Sequence, residues 1–203
     1  EMRFLALGDS YTIGEGVDEA ERWPVRLAAL LRARGVPVAD PDIIARTGWT
    51  TDELAAAIDD ADPRGPYALV SLLVGVNNQY RGRGAEEYRV ELTELLRRAA
   101  EFAGGDARRV MVLSIPDWGV TPFADGRDRA RIAAEIDAFN AIAREAAARA
   151  GARWVDVTPQ TRAAGAAPAF LVGDGLHPSG RSYAEWARLA LPAALEAIAS
   201  AGR

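Results

Sequence analysis

Five short apolar runs alternate with helix-like stretches along this 203-residue chain, and this alternation constrains its fold more than any other feature. The runs predict strands at residues 4–7, 43–45, 67–74, 110–115 and 154–157. The third run is apolar along almost its whole length, which is typical of a strand buried on both faces of a parallel sheet. Strands that alternate with helices favour right-handed βαβ units, so helices are expected on both faces of the sheet.

The helix-like stretches have apolar residues at helical spacing, and two of them have clear start signals. Thr50 with Glu53, and Ser182 with Glu185, have the spacing of capping boxes, which predicts that helices begin at these two places. The predicted helices cover residues 23–34, 50–58, 86–102, 128–150 and 182–198.

The fold class that follows is α/β. We expect a three-layer α/β/α sandwich around a flavodoxin-like, five-stranded parallel sheet of order 2-1-3-4-5. No interior linker or repeat interrupts the pattern, so residues 1–203 are expected to form a single domain.

The composition excludes several kinds of site. The chain has no cysteine, which excludes disulfides, thiolate catalysis and cysteine metal sites. It has one histidine, which excludes a zinc site built on several histidines. No loop has the spacing of calcium ligands, so we expect neither a metal nor a cofactor. If an imidazole takes part in catalysis, it must be that of His177.

Charge and hydropathy narrow the range of partners. The net charge of -5 is mild and no basic block is present, which argues against a nucleic-acid partner. No apolar stretch approaches the roughly 20 residues that cross a bilayer, so no membrane span is expected. No signal peptide is visible, and we expect a cytoplasmic protein, although a secreted chain with its signal removed would give the same sequence. The sequence does not indicate an oligomeric state.

Residues that can carry chemistry follow the predicted strands. Ser10 follows the first strand, Gly48 the second and Asn77 the third, while Asp174 and His177 lie in the loop after the fifth. The carboxyl ends of parallel strands lie at one edge of a sheet, where the ligands of such folds bind. Residues far apart in the sequence are therefore expected to meet at one rim.

These residue types at one rim indicate nucleophilic catalysis on a carbonyl carbon. Ser10 would attack, and His177 would take its proton as general base and later return one to the leaving group. Asp174 can reach the other ring nitrogen within the same loop. The oxyanion would accept hydrogen bonds from the backbone N–H groups of Ser10 and Gly48 and from the side-chain amide of Asn77.

Each of these residues also has an ordinary structural interpretation. The serine of a Gly-Asp-Ser sequence usually caps the next element, a histidine before a proline can lie in a surface loop, and Asn77-Asn78 and Asp174-Gly175 are common in turns. The catalytic interpretation is favoured because all of them follow strands of one predicted sheet. Asp9 is interpreted as structural, bonding nearby backbone amides, and Asp117 as the second-choice acid.

Four segments resemble the sequence blocks of the SGNH hydrolase superfamily, the GDSL esterases and lipases. The nucleophile block corresponds to Gly8-Asp9-Ser10-Tyr11, the second block to Gly48, the Gly-x-Asn-Asp block to Gly75-Val76-Asn77-Asn78, and the Asp-x-x-His block to Asp174-Gly175-Leu176-His177. They occur in the family's order and span nearly the whole chain.

The resemblance implies a three-layer α/β/α fold and a metal-free serine hydrolase of the esterase, lipase or deacetylase type, which acts on small-molecule esters or thioesters. Two positions depart from the family pattern. Asn78 stands where the family usually has aspartate, and Thr47 stands where the second block often has serine. Neither change removes an expected oxyanion donor.

Side chains in the rim loops are candidates for the substrate pocket. Trp49, Tyr80, Trp118 and Phe123 fall in these loops and are candidates for an aromatic wall that contacts an acyl or sugar group. Asn78 is a further candidate for the pocket. The alternative for each aromatic residue is ordinary packing.

The main functional hypothesis is a carboxylic-ester hydrolase that acts through a Ser10 acyl-enzyme. A second hypothesis is a non-catalytic sugar- or lipid-binding module on the same fold. A third, a flavodoxin-like nucleotide or receiver module, predicts a phosphate loop or an acidic cluster after the first strand, and the sequence has neither.

Overall fold

The computed structural model describes residues 1–200, and they form a five-stranded sheet of order β2-β1-β3-β4-β5 in which every pairing is parallel. The strands are β1 (Phe4–Gly8), β2 (Asp42–Ala45), β3 (Leu69–Leu73), β4 (Val110–Leu113) and β5 (Arg153–Val155). The predicted sheet and its order are confirmed, and the predicted strand ends differ from the observed ones by at most two residues.

Strand β1 lies inside the sheet, between β2 and β3, and all its residues are buried. Leu7 lies beside Ile44 of β2 on one side and beside Leu72 of β3 on the other. A strand with apolar residues on both faces can be covered by helices on both faces, which explains why this short run lies inside the sheet and not at its edge.

Eight α-helices surround the sheet within residues 1–200. They are α1 (Ser10–Ile13), α2 (Trp23–Ala33), α3 (Thr51–Ala61), α4 (Val76–Tyr80), α5 (Ala85–Phe102), α6 (Arg129–Ala150), α7 (Thr158–Ala164) and α8 (Gly180–Ser200). One layer is made by α2 packing on α8, and the other by α5 packing on α3 and α6. The predicted three-layer sandwich is confirmed.

The start of α8 corrects one prediction. The helix begins at Gly180, because the N–H of Tyr183 already donates to the carbonyl of Ser179 at 3.1 Å. Ser182 is therefore inside the first turn, and its hydroxyl donates to the carbonyl of Phe170 at 2.9 Å instead of capping a helix. The other predicted capping box, Thr50 with Glu53 at the start of α3, is present.

None of the helices in the described range, residues 1–200, has both the length and the apolar character that crossing a membrane would require.

Candidate active site

Ser10 is the first residue of α1 and comes two residues after Gly8, the last residue of β1. Asp9, which separates the two elements, is the N-cap of α1, and its Oδ1 accepts the N–H of Tyr11 at 3.0 Å. The structural interpretation of Asp9 is confirmed, and Asp9 rather than Ser10 caps the helix. The Ser10 side chain lines an open cavity at the carboxyl edge of the sheet.

Ser10, His177 and Asp174 form a hydrogen-bonded chain. Ser10 Oγ lies 3.2 Å from His177 Nε2, and His177 Nδ1 lies 2.6 Å from Asp174 Oδ2. Ser10 and His177 are 167 positions apart in the sequence. A proton on Nδ1 that is donated to Asp174 leaves Nε2 as an acceptor for the Ser10 hydroxyl, which is the arrangement that a general base requires.

The same carboxylate fixes both the ring and the backbone of His177. Asp174 Oδ1 accepts the N–H of Leu176 at 2.8 Å and that of His177 at 2.9 Å, while Oδ2 contacts the ring. The His177 carbonyl accepts the N–H of Val172 at 2.9 Å, which ties the loop back on itself. The position of the imidazole is therefore set by local bonds.

The charge state of Asp174 suits this contact. Partial burial raises the pKa of the carboxyl, but hydrogen bonds from the His177 ring and from the N–H groups of His177 and Leu176 together outweigh burial and hold its pKa below the ordinary value. Asp174 is therefore a carboxylate at neutral pH, and it can stabilise a positive charge on the ring.

Tyr11 supports the histidine from the protein interior. Its ring centroid lies 5.8 Å from that of His177 and 6.0 Å from that of Trp186 on α8. Burial, with a further contribution from nearby carboxylates, raises the pKa of Tyr11 above its ordinary value, so the phenol is neutral. The imidazole thus packs against a neutral aromatic wall.

The three predicted oxyanion donors belong to residues that line the same cavity as Ser10. Within residues 1–200, the backbone N–H groups of Ser10 and Gly48 donate to no other residue. Asn77 lies in the first turn of α4, and its amide donates one N–H to the carbonyl of Trp49 at 2.9 Å. An amide has a second N–H, so this bond orients Asn77 without using all its donors.

The cavity is large enough for a small ester. Its volume is about 190 Å³, which is below the roughly 300–1,000 Å³ of sites for drug-sized ligands and therefore indicates a small substrate group. The residues that line it are Ser10, Tyr11, Thr47, Gly48, Val76, Asn77, Tyr80, Trp118, Phe123, Leu176 and His177.

Three aromatic side chains form one wall of this cavity. The Trp118 ring lies 5.4 Å from that of Tyr80 and 6.0 Å from that of Phe123, both in edge-to-face geometry. Trp118 is buried and its Nε1 donates to Gln79 at 2.8 Å, whereas Tyr80 and Phe123 are about half exposed. The guanidinium of Arg127 lies over all three rings at 5.2–5.5 Å.

Three residues predicted for the site are not in contact with the cavity or the histidine. Trp49 is half-buried against the core and does not line the cavity. Asn78 is fully buried and its side chain bonds Thr51, because it lies on the side of α4 that faces α3. Asp117, the second-choice acid, is paired with Arg162 at 3.0 Å and accepts the N–H of Gly119.

Some lining residues were missed in the sequence. These residues are Tyr11, Val76 and Leu176, and each is next in sequence to a predicted site residue. Their place at the rim could therefore have been predicted from the same loops. In the described range, no group of three His, Cys, Asp or Glu side chains is arranged to hold a metal ion.

The sequence matches the model of the GDSL-like lipase/acylhydrolase family over residues 6–185, which is most of the chain. The chain belongs to the GDSL-like lipase/acylhydrolase family. The resemblance seen in the sequence blocks is therefore confirmed, and the family places the chain among the hydrolases of the esterase and lipase type.

Solved structures share the fold of this GDSL-like family member. TesA superposes with a TM-score of 0.73 at 20% identity, covering 95% of this chain and 97% of TesA. A lipase/acylhydrolase from Enterococcus faecalis gives 0.71 at 20% identity, covering 95% and 94%. An extracellular lipase from Streptomyces rimosus gives 0.67 at 20% identity, covering 97% and 100%. Comparison with curated protein sequences gives no match.

Proposed function

We propose that this GDSL-like family member is a carboxylic-ester hydrolase that works through an acyl-enzyme on Ser10 and needs no metal. The observation that carries the proposal is the chain of contacts from Ser10 Oγ to His177 Nε2 and from His177 Nδ1 to Asp174 Oδ2, at 3.2 and 2.6 Å. These contacts connect a hydroxyl to a base, and the base to a carboxylate that orients it.

In the acylation step, Ser10 Oγ attacks the carbonyl carbon of the ester while its proton passes to His177 Nε2. The carbonyl oxygen becomes an oxyanion, which the N–H groups of Ser10 and Gly48 and the Asn77 amide stabilise. Asp174 stabilises the positive charge on the imidazole. His177 then gives the proton to the leaving alcohol oxygen as the C–O bond breaks, and the acyl group remains on Ser10.

Deacylation repeats these steps with water as the nucleophile. His177 takes a proton from the water, the hydroxide oxygen attacks the acyl carbon, and Ser10 Oγ leaves with the proton returned by His177. The products are a carboxylic acid and an alcohol. A thioester would follow the same steps with a thiol as the leaving group.

The cavity supports a substrate with an apolar portion of modest size. Tyr80, Trp118 and Phe123 offer ring faces and edges on one side, and Val76 and Leu176 add aliphatic surface. Apolar contact with these groups would hold one part of the ester while Ser10 contacts its carbonyl carbon.

Single substitutions test the roles directly. Ser10→Ala should lower kcat for a nitrophenyl acyl ester on the order of 10⁶-fold, as such changes do in serine proteases.

Asn77→Ala should lower kcat by roughly 10²–10³-fold with a smaller effect on KM, because it removes one oxyanion donor. Steady-state kinetics over a series of acyl chain lengths provide both values and define the preferred acyl group.

Ser179→Ala is the matched control for the nucleophile. Its hydroxyl lies in the same part of the chain as His177 but donates to the carbonyl of Ala169, so turnover should be almost unchanged. Near-normal turnover in Ser10→Ala would overturn the proposal. A folded wild-type protein that binds sugars or lipids but hydrolyses no ester or thioester would favour the non-catalytic module instead.

A further inference from the structure

The loop that carries Gly48 is held by two side chains from α4. Asn77, in the first turn of this helix, donates to the carbonyl of Trp49 at 2.9 Å. Arg81, four residues later at the C-cap, donates through Nη2 to the carbonyl of Gly48 at 2.7 Å. Residues four apart lie on one side of a helix, so this pair can bind two successive carbonyls of a neighbouring loop.

Arg81 is itself anchored at the start of α3. Its Nη1 donates to Glu53 Oε1 at 3.0 Å, and the same carboxylate oxygen accepts the N–H of Thr50 at 3.2 Å. The guanidinium is a rigid planar fork, so fixing one nitrogen on Glu53 also fixes the direction of the nitrogen that binds Gly48. Arg81 therefore connects three segments: the end of α4, the start of α3 and the loop between β2 and α3.

The two helices that Arg81 connects, α3 and α4, are also joined to each other by buried hydrogen bonds. Asn78 Oδ1 accepts the N–H of Thr51 at 3.1 Å, and Asn78 Nδ2 donates to Thr51 Oγ1 at 2.8 Å. Both side chains are fully buried. These two bonds join α4 to the first residue of α3, so any motion of the Gly48 loop takes place relative to a fixed pair of helices.

Gly48 needs such anchoring because of its backbone. Its φ is +91°, a conformation that glycine adopts easily but from which it also departs easily. The φ and ψ angles of Gly48 together relate its carbonyl to the peptide that carries its N–H. Within residues 1–200 the carbonyl is held by Arg81, while the N–H donates to no other residue. Fixing the carbonyl thus limits the directions in which the N–H can point.

We propose that Arg81 is a positioning residue for the oxyanion hole, which holds the Gly48 N–H in place through the Gly48 carbonyl and so couples it to the Asn77 amide on the same helix. The inference rests on the proposed ester hydrolysis at Ser10. Arg81 does not line the cavity, so its effect is exerted through Gly48.

The chain offers a matched control two residues away. Arg83 follows α4 as Arg81 does, and it forms an ion pair with Asp52, which is also in the first turn of α3. Both arginines therefore join the same two segments through an exposed or half-exposed ion pair. The contact that distinguishes Arg81 is its bond to the Gly48 carbonyl.

The test compares Arg81→Met with Arg83→Met. Arg81→Met should lower kcat by roughly ten- to hundredfold and change KM by less than about twofold. The reason is that a misplaced hydrogen-bond donor weakens the binding of the transition state more than the binding of the substrate. Arg83→Met should leave kcat within about twofold of wild type. Thermal unfolding of both variants shows whether they lose similar stability.

A transition-state analogue separates positioning from a general structural effect. An alkyl boronic acid forms a tetrahedral adduct with an active serine, and its inhibition constant should rise in Arg81→Met by about the same factor as kcat/KM falls. Substrate affinity measured in a Ser10→Ala background should be unchanged by adding Arg81→Met. Arg81→Lys, which keeps the charge but loses the planar fork, should recover part of the lost turnover.

Equal kcat values for Arg81→Met and Arg83→Met, with wild-type boronic acid affinity in both, would overturn the inference and leave the proposed function intact. Absence of esterase and thioesterase activity from the folded wild-type protein would overturn the proposed function and the inference together.

Discussion

Asp9 is buried beside the nucleophile, and the fold changes its ionisation. Its Oδ1 accepts the N–H of Tyr11, but its Oδ2 has no hydrogen-bond partner within residues 1–200. Burial raises the pKa of Asp9 to about 7, against the opposing effect of the hydrogen bond from Tyr11. The folded protein therefore keeps a proton on this carboxyl at pH values where an unfolded chain, with an aspartate pKa near 3.9, has released it.

This difference predicts how stability depends on pH. Between about pH 4 and pH 7 the folded state binds more protons at Asp9 than the unfolded state, so the free energy of unfolding should fall as pH rises through this window and level off above it. Ionisation of Asp9 should change the free energy of unfolding by up to about 1.4 kcal/mol per pH unit within this window. Asp9→Asn, a neutral side chain of the same shape, should remove it.

Urea unfolding of wild type and Asp9→Asn at a series of pH values from 5 to 8 measures this effect, because pH-dependent contributions shared by the two proteins cancel in the comparison. The stability of Asp9→Asn relative to wild type should increase with pH up to about 7. A constant difference between the two curves would show that Asp9 ionises in the folded protein as it does in the unfolded chain.

The sequence was most informative about residues whose chemistry is distinctive. The single histidine, with an aspartate three residues before it, predicted a contact that the structure has at 2.6 Å. The orientations of Asn78 and Trp49 were harder to predict. Their position in a rim loop places them near the site, but it does not determine whether the side chain points into the cavity. Asn78 turns towards Thr51 because its helix packs beside the start of α3, a tertiary contact that residue type does not encode.

At the element scale, the short helix α4 depends on Gly75. This glycine is the N-cap of α4 and has a φ of +137°. A Cβ at this position would lie 2.6 Å from the Tyr88 ring, which is buried and donates its hydroxyl to the Val74 carbonyl at 2.8 Å. The turn that delivers Asn77 to the cavity therefore requires a residue without a side chain.

Gly75→Ala should lower the free energy of unfolding by about 3 kcal/mol or more, because backbone strain and the clash with Tyr88 add together. Gly35→Ala is the control: it has a φ of +81° but nothing within 4 Å of the added Cβ, so it should cost roughly 1–2 kcal/mol. Urea unfolding gives both values. Equal costs at the two positions would show that the Tyr88 contact does not constrain the turn.

The long helices were predicted from the sequence, whereas the short ones were not. The five long helices have enough turns for an apolar stripe to be seen, whereas α1, α4 and α7 have only four to seven residues. The start of α8 was misplaced because Ser179 binds Phe170 and Ala169 across the loop, so the helix begins earlier than its capping signal. Long-range contacts of this kind are not visible in local spacing.

At the scale of the whole molecule, the parallel sheet explains why distant residues meet. Each strand delivers its following loop to the same edge, so Ser10 after β1 and the loop of His177 after β5 and α7 reach one cavity. The order of the strands could be predicted because alternating strands and helices leave few topologies. The shape of the cavity could not, because the loops around Tyr80 and Phe123 are positioned by aromatic packing between separate segments.

The central claim is that Ser10 is an activated nucleophile, and reaction with a fluorophosphonate probe tests it most directly. Wild-type protein should acquire one adduct, which peptide mass spectrometry should locate on Ser10, and His177→Ala should react far more slowly because the serine has lost its base. Ser179→Ala should react like wild type. An adduct on another residue, or a folded wild-type protein that remains unlabelled, would contradict the account.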